Sequence, residues 1–116
     1  NQVDFILKKL SRIKTSQRIF LYLNVDAIHY PNYFYLDEGR QDSLKSHRAA
    51  LRYVDGELGR LLDAWGQQRG KSFVICCSDH GTCYGEDGCQ FHGINHPKVN
   101  EIPYKHFFIS PEEERV

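Results

Sequence analysis

The residues best suited to chemistry are gathered between Ser72 and Asn95, in the stretch SFVICCSDHGTCYGEDGCQFHGIN. An apolar run, Phe73-Val74-Ile75-Cys76-Cys77, stops abruptly at Ser78-Asp79-His80-Gly81. A strand ending in an acid and an imidazole presents one oxygen and one nitrogen donor from a fixed backbone, a pair suited to a divalent metal. Asp79 and His80 are therefore the candidate metal ligands. The plainer use of such a pair is a turn closed by a hydrogen bond to the Asp side chain. The following loop adds Glu86, Asp87, His92 and His96, and its glycines at 81, 85, 88 and 93 permit the turns by which side chains converge. His92 is a candidate for contacting substrate, His96 carries no assigned role, and Lys98 offers a positive charge to an anionic ligand.

Cys83, Cys89, His92 and His96 also spell C-x5-C-x2-H-x3-H. The spacer between the cysteine and histidine pairs is far shorter than the roughly 12 residues of a C2H2 finger, so a structural zinc module is disfavoured.

The elements that must position these groups are legible in outline. Ile6, Leu10 and Ile13 share one face of a helix expected over Val3 to Lys14. Ile19 to Val25 is nearly all apolar and rich in aromatic and branched residues, the pattern of a strand covered on both faces in a parallel sheet. It stops ahead of Asp26-Ala27-Ile28-His29-Tyr30-Pro31. Tyr33, Phe34 and Tyr35 lie in the loop from Asn32 to Gln41 and are expected to pack that loop onto the body. Asp42 is the expected N-cap of a long amphipathic helix with Leu44, His47, Leu51, Val54, Leu58, Leu61 and Trp65 on its stripe. Gly56 and Gly59 inside that helix cost about 1 kcal/mol each, which points to close packing on the sheet. Lys71 to Ser78 and Ile102 to Ile109 are further strands, and Ser110-Pro111-Glu112 reads as a helix start.

A strand, a long helix and a strand make a right-handed β-α-β unit with parallel strands. Parallel strands share a carboxyl edge, so His29 is expected to join Asp79 and His80 there. The expected fold is thus α/β, a mostly parallel sheet flanked by helices, in one domain over 1–116.

Bulk composition narrows the function. The chain has 116 residues, 41% hydrophobic and 26% charged, as in an ordinary globular domain. Formal net charge is zero, against a nucleic-acid binder, and no apolar run approaches the roughly 20 residues of a membrane span. The first residue is Asn1 and there is no methionine, so a piece of a longer protein is expected. The four cysteines are expected to be free thiols in a cytoplasmic protein, with Cys76 and Cys77 packing inside the strand.

SDHG, then YGEDG, then FHG, then Ile102-Pro103, together with His29 close to Pro31, resemble the carboxyl-terminal half of the alkaline phosphatase superfamily. The likeness is to its sulfatase-like branch, which includes sulfatases, phosphoethanolamine transferases and lipoteichoic acid synthases, and it spans about Ile19 to Ile109. It implies a partial alkaline-phosphatase-like fold and a metal-dependent hydrolase of sulfate or phosphate esters. Asp79 and His80 would hold one divalent metal (zinc, manganese or calcium). His29 and His92 would contact the sulfuryl or phosphoryl group of an anionic ester or its leaving oxygen. The family's nucleophile lies in the amino-terminal half, and no residue here occupies that motif. Asp26 and His29 are three apart, where two-metal branches use four, which favours a single metal. The chain alone is therefore expected to be inactive and to depend on a missing amino-terminal half. The alternatives are a non-catalytic binding module with the same fold, or a phosphoryl transferase.

Overall fold

A computed structural model describes residues 1–36 and 39–110. The chain divides into two compact units, one over Asn1–Lys71 and one over Ser72–Ile109.

The first unit is built on two helices. α1, Gln2–Leu10, starts with a capping box in which the Asn1 side chain accepts the Asp4 N–H and Asp4 answers the Asn1 amine. It ends before the Lys14 boundary its apolar spacing predicts. α2, Leu44–Gln68, is capped by Ser43 rather than by Asp42. Asp42 instead turns its carboxylate onto the Asn32 and Tyr33 N–H groups, both at 2.8 Å. That bond pins the loop bearing a single 3-10 turn, Tyr33–Tyr35. Tyr35 meets Tyr53 of α2 at 5.3 Å between ring centroids, so this loop does pack onto the helix.

The core of this unit mixes apolar and polar groups. Val3, Leu10, Ala50 and Leu61 are buried, but so are Asn32, Ser46 and Arg69. Ser46 Oγ bonds Asn32 Oδ1 and accepts the Ser43 N–H at 2.9 Å. Arg69 follows α2 and turns its guanidinium back on the end of α1. Nη2 donates to the carbonyls of Leu10 (2.8 Å) and Ile13 (3.0 Å), and Nη1 donates to that of Lys14 (2.9 Å). The Leu10 and Lys14 carbonyls also accept the Ile13 and Gln17 N–H groups, at 3.2 and 3.0 Å, and a cation suits that end of a helix dipole. His47 is half-buried on α2. Burial pushes its imidazole below the ordinary range, and the Ile28 carbonyl offsets part of that.

Ile19 to Val25 forms no strand. A strand needs a ladder partner for its backbone groups, and among the described residues this segment has none. Its apolar content is spent differently. Leu23, Val25 and Ala27 line a narrow cavity of about 60 Å³ with Val3, Val54 and Leu58, while Phe20 and Tyr22 stay exposed. A Cβ at Gly56 or Gly59 would meet nothing within 4 Å, so close packing does not explain those glycines.

The second unit holds β1, Ser72–Cys77, and β4, Tyr104–Ile109, paired antiparallel with Ser72 opposite Ile109 and Cys77 opposite Tyr104. Between them come β2, Cys83–Tyr84, antiparallel to β3, Gln90–Phe91, and the short helix α3, Pro97–Asn100. The sheets are therefore antiparallel, not mostly parallel, and no β-α-β crossover occurs among the described residues. Phe73 packs on His106 and Phe108 on one sheet face, with centroids 5.8 and 5.0 Å apart. That face is exposed at Phe73, Ile75, Tyr104 and Phe108, and Cys77 is exposed rather than packed. The expected helix start from Pro111 lies outside the described residues. Among the described residues no helix is long and apolar enough to cross a membrane.

Replacing Arg69 by Met keeps most of the apolar stem but removes the guanidinium donors from three carbonyls. The expected loss is about 2–3 kcal/mol, read as a lower urea midpoint at unchanged slope. An unchanged midpoint would mean that water serves those carbonyls equally well.

Candidate functional site

β1 ends at Cys77, and the chain turns through Ser78, Asp79, His80 and Gly81. Two contacts fix this turn. The Gly81 N–H donates to the Val99 carbonyl at 2.8 Å. A Cβ on Gly81 would lie 1.9 Å from the Lys98 carbonyl oxygen, so residue 81 has no room for a side chain. The Asp-His pair is thereby held against the start of α3.

Asp79 and His80 do two things at once. Asp79 Oδ1 accepts the His80 N–H at 3.0 Å, the local turn bond. Its Oδ2 lies 3.9 Å from His80 Nε2. His80 Nδ1 is 2.8 Å from the Gly81 carbonyl oxygen. A carbonyl can only accept, so the neutral ring carries its proton on Nδ1 and directs the Nε2 lone pair outward. A backbone-anchored Nδ1–H is the usual support of a metal-ligating imidazole. One carboxylate oxygen and one imidazole nitrogen thus converge, and they fit two positions around a divalent cation. Among the described residues no group of three or more His, Cys, Asp or Glu is gathered for a metal, so neither a complete cation cage nor a zinc cluster is assembled there.

His92 stacks on His80, with centroids 4.2 Å apart and planes inclined by 25°. It follows Phe91, whose φ of +64° is unusual for an aromatic residue. Strain of this kind tends to gather where a side chain must be aimed. Asp79, His80 and His92 therefore belong to one loop cluster. His29 lies in the first unit, stacked on Tyr30 at 4.4 Å. The parallel pairing expected to bring it to the same sheet edge is absent, because Ile19 to Val25 makes no ladder.

His96 has a clear place. It is buried, and it caps α3 by accepting the Lys98 N–H on Nδ1 at 3.1 Å. Its proton therefore sits on Nε2, which reaches Asp87 Oδ2 at 3.2 Å. The buried Cys83 Sγ lies 3.3 Å from the same Nδ1. Burial pushes the Cys83 thiol up, with Glu86, Cys89 and Asp87 adding to that and Lys98 opposing it, so the sulfur is a thiol donor to Nδ1. Asp87 adopts φ +50° behind Gly85 at φ +116°, a conformation that favours glycine at 85. Glu86 accepts the Tyr84 N–H at 2.6 Å. That bond, and one from its own backbone N–H, hold its carboxyl below the ordinary range. The sequence signal for His96 was its position just before Pro97, where a cap belongs; a capping imidazole is rare enough to be overlooked.

Two outcomes follow. His96→Ala is expected to lower stability by about 1–3 kcal/mol, whereas His96→Asn, which can still accept the Lys98 N–H, recovers part of it in the same urea titration. Equal loss in both variants would remove the capping role. For Glu86 the native value is depressed, so its contribution is present at neutral pH. It declines once pH drops below the usual Glu value of about 4.3 and is gone beneath the native value. Glu86→Gln should flatten the acid limb of the stability curve, and an unchanged limb would exclude the carboxylate as its source.

The family model named Sulfatase matches residues 2–109. A choline-sulfatase of Rhizobium meliloti (strain 1021) is 32% identical over 78 residues, 66% of this chain and 14% of that protein. The chain therefore spans a small part of the length of this curated relative. No solved structure matches the chain. With the DHG turn, the stacked histidines and a match over nearly its whole length, the chain belongs to the sulfatase family.

Proposed function

We propose that this chain carries part of the metal and substrate site of a hydrolase acting on a sulfate ester of a small alcohol, with phosphate esters as the chemically nearest alternative. The single observation that carries this reading is the convergence of Asp79 Oδ2 and His80 Nε2 at 3.9 Å, at the end of β1. Asp79 and His80 hold one divalent ion, zinc, manganese or calcium. When bound, such an ion withdraws charge from the ester oxygens.

The remaining roles belong to the chain's own groups. His80 is kept in the Nδ1–H tautomer by the Gly81 carbonyl, so its Nε2 stays an acceptor. His92, stacked on His80, offers a hydrogen bond or a proton to an oxygen of the transferred group. His29 is assigned to the transferred group or its leaving oxygen. Lys98 supplies a positive charge to the anionic group, at the residue whose backbone is fixed by His96 and Gly81. The nucleophile and the remaining ligands are assigned to an amino-terminal half of the same domain. The choline-sulfatase relative supports a sulfate ester as the substrate.

Titration with Mn2+ tests the metal pair directly. Paramagnetic broadening is expected first at the amides of residues 79–81, saturably, and it is lost in Asp79→Ala/His80→Ala. Broadening that is diffuse, or that survives the double substitution, would show that the turn is structural only.

A further inference from the structure

A row of contacts inside the second unit joins Asp87 to His80. The Asp87 side chain is 88% exposed, yet its Oδ2 lies 3.2 Å from Nε2 of the buried His96. An ionised carboxylate only accepts, so the neutral His96 ring carries its proton on Nε2 and keeps Nδ1 bare. Nδ1 then meets two donors. One is the Lys98 N–H at 3.1 Å, and the other is the Cys83 thiol, whose sulfur is 3.3 Å away. The opposite tautomer would set an N–H against both donors. In a buried ring such a mismatch is costly, because the lost bonds are not replaced.

From Lys98 the constraint passes to the Asp-His pair through backbone alone. The His96 carbonyl accepts the Val99 and Asn100 N–H groups at 2.9 and 3.0 Å, so one residue closes the first turn of α3 with both its side chain and its carbonyl. α3 has only four residues, too few to hold a helical turn by their own hydrogen bonds. The cap therefore decides where the first carbonyls of α3 point. Two of them meet Gly81: the Lys98 oxygen lies where a Cβ would be, and the Val99 oxygen accepts the Gly81 N–H at 2.8 Å. Gly81 in turn accepts Nδ1–H of His80 at 2.8 Å, which leaves Nε2 as the bare nitrogen, 3.9 Å from Asp79 Oδ2. Were the proton on Nε2 instead, His80 would turn a donor toward Asp79 and could not ligate a cation through that nitrogen.

We propose that Asp87 and His96 are positioning residues for His80: the carboxylate sets the His96 tautomer, His96 sets the first turn of α3, and that turn holds the Gly81 carbonyl that keeps the His80 proton on Nδ1. The role in metal binding rests on the reading in which Asp79 and His80 hold a divalent ion. The tautomer itself is read on the chain without added metal, so the two ideas stand or fall separately.

The test reads the histidine tautomers of the full chain by long-range 1H–15N correlation at about pH 8.5, well above the ordinary imidazole value of about 6.5. Mn2+ affinity is measured beside it from the broadening at residues 79–81. Asp87 has a φ of +50°, so Asp87→Gly removes the carboxylate and suits the backbone. In that variant His96 is expected to divide between its tautomers, and His80 to lose its Nδ1–H form in step, with Mn2+ held about tenfold more weakly. His96→Ala should produce the same loss at His80. His96→Asn, whose side chain still accepts the Lys98 N–H, should restore the tautomer and most of the affinity. Native β1 and β4 signals verify the fold; if His96→Ala fails that check, Asp87→Gly, with His96 in place, carries the test. An unchanged His80 tautomer in a folded Asp87→Gly or His96→Ala chain overturns the proposal, because the Gly81 carbonyl would then act unaided. Equal loss in His96→Asn and His96→Ala also overturns it. If the His80 tautomer follows His96 while even the unaltered chain shows no Mn2+ broadening at 79–81, the metal reading fails and the positioning stands.

Discussion

The second unit depends on a backbone contact at Gly81. There the main chain approaches the Lys98 carbonyl so closely that a methyl group would lie 1.9 Å from its oxygen, and the Gly81 N–H closes the contact on Val99 at 2.8 Å. Backbone cannot yield as a flexible side chain can, so the turn after β1 and the start of α3 behave as one piece. The Asp-His pair, the Gly81 carbonyl that sets the His80 tautomer, and the Lys98 backbone are all parts of that piece. The approach of Asp79 Oδ2 to His80 Nε2, at 3.9 Å, belongs to the same piece.

Polar groups do in this chain much of what apolar packing does in larger cores. Among the described residues Asn32, Ser46, Arg69 and His96 are buried, as are the apolar Val3, Leu10, Ala50, Leu61, Cys83 and Val99. A buried polar group is costly unless paired, and these side chains have partners, Arg69 Nε excepted: the Ile28 carbonyl for Asn32, Asn32 for Ser46, the Leu10, Ile13 and Lys14 carbonyls for the Arg69 Nη groups, Lys98 and Asp87 for His96. Such networks contribute modestly to stability but strongly to uniqueness, because an alternative packing would leave charged or amide groups unpaired. A two-stranded ladder such as β1–β4 is marginal by itself. The His96 and Gly81 contacts provide the second unit with constraint that the ladder lacks.

The sequence by itself determined the local features whose causes are local. The stop of β1 ahead of Asp79 and His80, the long helix, though Leu44 and Leu51 of its expected stripe are exposed, the alternation of Tyr104, His106 and Phe108, and the family likeness were readable, since each depends on a few neighbouring residues. Strand pairing was not, because it depends on a partner. Ile19 to Val25 reads as a buried strand by composition, but no ladder forms on it, and the parallel sheet inferred from it gave way to the antiparallel pairing of β1 with β4. Asp42 and Ser43 are both good caps in sequence; the nearness of Asn32 decided which one serves the helix. The roles of His96 and Arg69 were decided only by tertiary structure, since each joins groups brought together by folding: an imidazole between Asp87 and Lys98, a guanidinium against the end of a helix 55 to 59 residues earlier.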